Sequence, residues 1–220
     1  MKDLKVLDAP ADVAAEAARL VAGTLDGGAR TLVLAGGSTP RRCYELLAGM
    51  ELAWGRVAVL FGDERCVPPG DAESNYRMAK ESLLDRVAPA TVHRMPAELG
   101  AEEAAAAYDR LLAGLGLLDL VLLGVGPDGH TASLFPGRPE LQAEGWAVAV
   151  HEAPKPPPDR VSLTLGTLQA AHRVLVLATG ADKAEAVAKA RRGEVPAGMI
   201  AHAEWLVDRA AAGEDRSRPR

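Results

Sequence analysis

Apolar residues along this chain fall into blocks of two kinds, one with helical spacing and one of short continuous runs, and glycine or proline punctuates most of the junctions. Val13, Ala17, Leu20, Val21 and Leu25 recur at helical spacing after Pro10, which predicts an amphipathic helix closed by Gly27-Gly28. Thr31 to Ala35 is a β-prone run that stops at Gly36-Gly37, and Ser38, Thr39 and Pro40 then lead into a helical stretch through Leu47. Val57 to Phe61 repeats the apolar run, and Gly62 hands it to Asp63-Glu64-Arg65. Ser74-Asn75 caps a helix predicted to run to about Leu84, Val92 to Met95 reads as a short strand, and Glu102 to Leu115 sets Ala104, Tyr108, Leu111, Leu112 and Leu115 on one helical face.

The unbroken run Leu120 to Leu123 is the pattern of a parallel strand covered on both faces. It ends in a turn built of Gly124, Gly126, Pro127 and Gly129 that delivers Asp128 and His130. Beyond it, Trp146 to Val150 is a strand, Lys155 to Pro158 a stiff extended loop, and Arg160 opens a strand and turn in VSLTLGTL. His172 to Ala178 is a further strand, and Asp182 to Ala190 is helical with Lys183 in its first turn. A short apolar run follows at Trp205 to Val207. Strands alternating with helices over this length predict an α/β fold, a three-layer sandwich with a mainly parallel, Rossmann-like sheet. One domain is expected over residues 1–213, with a polar, frayed tail at 214–220.

Open parallel sheets bind ligands beyond the carboxyl ends of their strands, and three charged or glycine-rich junctions fall there. At Gly36 to Pro40 the glycines let a ligand approach the backbone, Ser38 or Thr39 is placed to cap, and the unpaired N–H groups and dipole of the helix favour an anion such as phosphate. An ordinary capped helix start has the same appearance, and the lysine and spacing of a Walker A loop are missing. Asp63-Glu64-Arg65 and Asp128/His130 share that rim, and Asn75 and Arg77 are within reach of it. A solvated turn and a loop histidine are the plainer readings of the same residues. Lys183 opposes the dipole at a helix start, which asks for an anionic partner.

Composition narrows the field further. At 220 residues with a formal charge of −5 and both signs scattered, the chain has neither a basic stripe for nucleic acid nor a polybasic membrane patch. The charged start MKDLKVLDAPADV is no secretion signal and no apolar run is long enough to span a membrane, so a cytoplasmic protein is expected. Cys43 and Cys66 lack metal-type spacing and read as reduced thiols. Gly124 to Gly129 matches the G-x-G-x-x-G fingerprint, yet Pro136 and Gly137 interrupt the helix it needs, which argues against a dinucleotide. Ser133 is not in a nucleophile elbow, and Asp128 with His130 supplies at most two metal ligands, so metal-free acid–base chemistry fits better.

Five blocks in register, LAGGSTP at Leu34 to Pro40, FGDER at Phe61 to Arg65, SNYRMA at Ser74 to Ala79, GVGPDGHTASLFPG at Gly124 to Gly137 and ATGADKA at Ala178 to Ala184, together resemble the 6-phosphogluconolactonase family. The related glucosamine-6-phosphate deaminases share the Gly-Gly-Ser-Thr turn and the Asp-Gly-His, but carry a glutamate five residues after the histidine, where this chain has Phe135. The resemblance implies hydrolysis of a small sugar-phosphate lactone, 6-phospho-D-glucono-1,5-lactone, without a cofactor. It implies His130 as general base and later acid, Asp128 as its support and Arg65 for developing negative charge. Gly36, Gly37, Ser38 and Thr39 would hold the phosphate, with Arg160 and Lys183 supplying charge and Asp63 holding the rim together. A monomer is expected, and a non-catalytic sugar-phosphate sensor is the alternative of a different class.

Overall fold

Residues 3–214 are described by a computed structural model, so the end of the expected tail, 215–220, lies outside the described residues. In chain order the elements are β1 (Asp3–Leu7), α1 (Pro10–Asp26), β2 (Thr31–Leu34), α2 (Ser38–Leu47), β3 (Ala58–Phe61), β4 (Asp63–Arg65), α3 (Asn75–Ala79), β5 (Thr91–Val92), α4 (Ala101–Leu115) and β6 (Leu120–Gly124). They continue with β7 (Ala147–Val150), β8 (Arg160–Leu163), α5 (Leu165–Ala170), β9 (Arg173–Ala178), α6 (Ala184–Arg191) and β10 (Glu204–Asp208). Seven strands form one parallel sheet in the order β1-β10-β9-β6-β2-β3-β5, flanked by helices, and β4-β8-β7 form a small antiparallel sheet. This is the expected α/β architecture.

The central strands are the apolar runs of the sequence. Leu120, Val121, Leu122 and Leu123 are all fully buried, as a strand covered on both faces requires. The chain winds outward from β2 through β3 to β5, then returns to place β6 beside β2 and continues through β9 and β10 the other way. The sheet therefore reverses its direction of winding between β2 and β6, the switch point where a crevice forms. The β2–β6 ladder runs from Leu32↔Leu120 to Val33↔Val121, while β6 continues to Gly124. Both chains leave their ladder just below the rim, and the loops that follow them part around a cleft.

Two tyrosines fix strand ends at that rim. Tyr44 of α2 donates to Ala35 O at 2.9 Å and accepts from Ala35 N at 2.8 Å, pinning the exit of β2. Tyr108 of α4 does the same for Phe61 at the end of β3, accepting from its N at 2.9 Å and donating to its O at 3.2 Å. Both rings are buried, and their hydroxyls satisfy backbone groups that have no ladder partner.

Several local expectations need correction. The charged N-terminus forms β1, an edge strand whose alternating exposure has little apolar signal of its own, because its partner β10 comes from the other end of the chain. Asp63-Glu64-Arg65 is a strand rather than a turn, recruited by antiparallel pairing to β8. Neither Ser38 nor Thr39 caps α2 through its side chain; Gly37 is the N-cap, at φ 109°, and both hydroxyl residues lie inside the first turn. The segment after β8 is a helix, α5, capped by Thr164 Oγ1 accepting from Thr167 N at 3.1 Å. Leu115 is exposed on α4, and the strand predicted at Val92 to Met95 shortens to Thr91–Val92.

Candidate active site

A cavity of about 380 Å³ opens at the switch point, lined by the exits of β2, β3 and β6 and by the loop before β8. It contains Gly36, Gly37, Asp63, Arg65, His130, Arg160 and Lys183 together. An adjoining recess of about 160 Å³ is lined by Gly36 to Pro40, Gly124, Val125, Leu177 to Thr179 and Lys183. The glycine turn after β2 and the histidine turn after β6, distant in sequence, thus share one site. Among the described residues, no group of three or more His, Cys, Asp or Glu converges in a way that could hold a metal ion.

Asp128 and His130 come from a tight turn closed by Gly129 N donating to Gly126 O at 2.9 Å and Gly126 N donating to His130 O at 2.8 Å. The imidazole lies so close over Gly126 that a Cβ there would stand 2.1 Å from ring atoms Cε1 and Nδ1. Gly129 adopts φ 87° and packs against Val195. The glycines of the apparent dinucleotide fingerprint thus make room for a side chain. In place of a nucleotide-binding helix, the chain makes a short Thr131↔Leu134 bridge.

Nδ1 of His130 lies 2.5 Å from Asp128 Oδ1, and Asp128 Oδ1 also accepts from His130 N at 3.3 Å. That carboxylate assigns Nδ1 as the protonated nitrogen and leaves Nε2 as an acceptor. Burial pushes the His130 pKa below its ordinary value of 6.5, and Asp128 offsets this incompletely. Burial acts to raise the pKa of Asp128, but the attraction and hydrogen bonds of His130 outweigh it, and the net displacement is downward. At neutral pH the site therefore holds a carboxylate beside an uncharged imidazole, the starting state a general base needs.

Phe135 covers the imidazole, its ring 4.6 Å from that of His130 by centroid. Behind it, the Arg160 guanidinium lies 5.7 Å over the same Phe135 ring. Arg160 is buried, with Nε donating to Pro157 O at 3.0 Å and Nη2 to Lys155 O at 2.8 Å. Nη1 is the guanidinium nitrogen left without a protein partner among the described residues.

On the other wall, Arg65 donates from Nη1 to Glu73 O at 2.5 Å, lies 3.7 Å from the Glu73 carboxylate, and has a buried Nε without a partner. Asp63 is a structural hub. Its Oδ2 accepts from Ser133 Oγ at 2.7 Å and its Oδ1 from Asn75 Nδ2 at 3.1 Å. Asn75 in turn presses on Gly36, where a Cβ would stand 2.1 Å from its Oδ1. Arg77 points elsewhere, donating to Glu81 at 2.7 Å and Gly70 O at 3.1 Å.

At the recess, Thr39 Oγ1 is 2.7 Å from Thr179 Oγ1, which ties the first turn of α2 to the end of β9. Lys183 lines both the cavity and the recess and pairs with Asp182 at 3.0 Å, so the anion its position called for is supplied by its neighbour. Two features escaped the sequence reading. Glu64 is buried and accepts from the backbone N of Arg65, Asn75 and Tyr76 and from Ser74 Oγ, organising the start of α3. Lys155 lines the cavity from the proline-rich loop; three consecutive prolines signalled a rigid segment there but not its destination.

The family described as glucosamine-6-phosphate isomerases/6-phosphogluconolactonase matches residues 7–207 of the chain. A 6-phosphogluconolactonase of Streptomyces coelicolor is 41% identical, covering 91% of this chain and 89% of its own length. The solved structure of 6-phosphogluconolactonase from Trypanosoma brucei superposes with a TM-score of 0.88 at 28% identity, covering 97% of this chain and 98% of that one. A monomeric glucosamine-6-phosphate deaminase superposes almost as well, with a TM-score of 0.86 at 24% identity over 98% of this chain and 100% of that one, a likeness of fold alone. The fold is thus common to proteins named for two reactions, and the side chains in the cleft must separate them.

Proposed function

The chain belongs to the glucosamine-6-phosphate isomerase/6-phosphogluconolactonase family, and from that membership we propose that it hydrolyses 6-phospho-D-glucono-1,5-lactone to 6-phospho-D-gluconate, a step of the oxidative pentose phosphate pathway. The observation that carries this reading over the deaminase one is the residue beside His130. A buried phenyl ring stands where the resemblance to deaminases would require a carboxylate, and a lactone needs no second acid there.

A lactone is an activated acyl group. Its hydrolysis needs a base for water, support for the oxyanion and a proton for the leaving ring oxygen. Neutral His130 takes a proton from water at Nε2 as the water oxygen bonds to C1. Arg65, which lines the cavity wall, stabilises the negative charge on the former carbonyl oxygen. When the C1–ring oxygen bond breaks, the imidazolium returns its proton to that oxygen, and His130 is regenerated. Asp128 keeps Nε2 free and steadies the transient imidazolium.

Gly36, Gly37, Ser38 and Thr39 bind the phosphate at the N-terminus of α2, with Lys183 lining the same recess. Arg160 contributes charge from the cavity wall while backing Phe135. Holding the phosphate remote from C1 converts binding into orientation of the reacting carbon.

The direct test is a lactonase assay on freshly generated phosphogluconolactone, with spontaneous hydrolysis subtracted, beside a deaminase assay on glucosamine 6-phosphate. Lactonase turnover that falls by about two to four decades in His130→Ala, with substrate binding retained, is the expected result. Turnover of glucosamine 6-phosphate alone would overturn the reading.

A further inference from the structure

The cavity holds four cations, and their protein partners differ. Arg65 is engaged by Glu73, and Lys183 by Asp182 at 3.0 Å. Arg160 donates to loop carbonyls, and the nearby Asp63 carboxylate favours its charged form. Lys155 lines the same cavity, and among the described residues its ammonium has neither an ion-pair partner nor a hydrogen bond.

Its mount is fixed even though its side chain is not. Arg160 grips the loop backbone at Lys155 O and Pro157 O, and Ala153 N donates to Pro158 O at 2.8 Å. Prolines at 156, 157 and 158 remove backbone freedom and donors from the rest of the loop. An ammonium carried on so constrained a segment, without an internal counter-charge, is arranged for an anion from outside.

Charge balance indicates which anion. A phosphate monoester carries about −1.5 to −2 at neutral pH. Against it the α2 N-terminus offers roughly half a positive charge, and Lys183 is already paired with Asp182. Arg160 backs Phe135 and commits Nε and Nη2 to loop carbonyls, so further positive charge is wanted at the phosphate end. Lys155 is placed to provide it, since its field acts on Asp182, beside Lys183, as well as on His130.

We infer that Lys155 is a substrate-binding residue that closes over the phosphate of the lactone together with Lys183, presented by the Arg160 grip on its backbone. The inference rests on the lactonase reading above and adds a specificity determinant to it: Lys155 distinguishes a phosphorylated from an unphosphorylated lactone.

The test compares kcat/KM for 6-phosphogluconolactone and for unphosphorylated glucono-1,5-lactone in the wild type, Lys155→Ala and Lys155→Arg. Lys155 is exposed, so its replacement leaves the fold intact. Lys155→Ala should lower the value for the phosphorylated lactone by about tenfold to a hundredfold, mainly through KM, as expected for loss of a charge-assisted contact. It should lower the value for the unphosphorylated lactone far less, and weaken competitive inhibition by inorganic phosphate by a factor similar to the loss on the phosphorylated one. Lys155→Arg should restore most of the difference. An equal loss on both lactones, or no loss on either, would overturn the inference while leaving the lactonase reading in place. A wild-type protein inert towards both lactones would overturn the two together.

Discussion

Phe135 stacks on His130 with ring centroids 4.6 Å apart at an interplanar angle of 40°, inside a small apolar cluster with Val150 and Ala153. The contact puts an apolar wall, rather than a carboxylate, on the face of the imidazole away from Asp128. The ring helps keep water from the imidazole, and burial is the main reason the His130 pKa lies below 6.5.

The pH dependence follows directly. The proposed mechanism requires neutral His130, so kcat/KM should hold as the pH is lowered past 6.5 and fall only near the depressed pKa. Phe135→Leu removes the flat cover and admits water, so the acid limb should move to higher pH, towards the ordinary histidine value. A pH profile of kcat/KM for the two proteins checks this, and an acid limb that stays put would detach Phe135 from the control of His130.

Asp128→Asn separates orientation from protonation. Removing the carboxylate takes away the strongest influence that raises the His130 pKa, so the imidazole remains neutral at pH 7. Turnover should nevertheless fall by about ten- to a thousandfold, because nothing negative steadies the imidazolium and the choice of tautomer is lost. KM should change little. Since the defect is not one of protonation state, no choice of assay pH should restore the rate.

Gly126→Ala probes a close approach at the histidine turn. A methyl group 2.1 Å from His130 Cε1 and Nδ1 and 2.6 Å from Asp128 Oδ1 cannot coexist with the pair where it stands, so imidazole and carboxylate must both shift. Displacement of about 1 Å is enough to cost about a hundredfold in rate. The expected pattern is a drop in kcat with little change in inorganic phosphate inhibition, because the α2 recess is untouched. Loss of phosphate inhibition in equal measure would mean that the substitution disturbs the whole rim.

The sheet and the loops that carry the chemistry were readable in the sequence because each signal is local. Leu120 to Leu123 is a continuous apolar run, and Gly36 to Pro40 is a glycine turn entering a helix; neither needs a distant partner to be recognised. What escaped was set by distant partners. β1 mixes charged with apolar residues, β4 is wholly charged, and both become strands through pairing, with β10 and β8. Glu64 looks like one of three surface charges, and its burial depends on the α3 backbone folding back over it. Lys155 sits in a proline run whose stiffness was legible, but its course into the cleft depends on Arg160 gripping its carbonyl. Thr39, read as a cap, is instead drawn to Thr179 across the crevice.

The ion pair that ties the edge strand β1 to α1 also makes a measurable prediction. Glu16 of α1 accepts from Arg19 and from Lys5 of β1, each at 2.8 Å. The hydrogen bond from Arg19 is the largest cause that lowers its pKa, burial opposes it, and Lys5 adds to the lowering, leaving Glu16 at about 2 against an ordinary 4.5. A folded-state pKa below the unfolded one stabilises the protein above pH 4.5, and that stabilisation is lost as the pH falls towards 2. Taken at face value the shift would be worth about 3 kcal/mol. Lys5 and Arg19 are 53% and 66% exposed, however, so solvent screening should reduce it to about 1 kcal/mol. Urea denaturation of the wild type and Glu16→Gln should therefore show a gap of that size at pH 7, shrinking progressively between pH 4.5 and pH 2. A gap that stays constant across that range would assign the effect to packing of the glutamate stem instead of its charge.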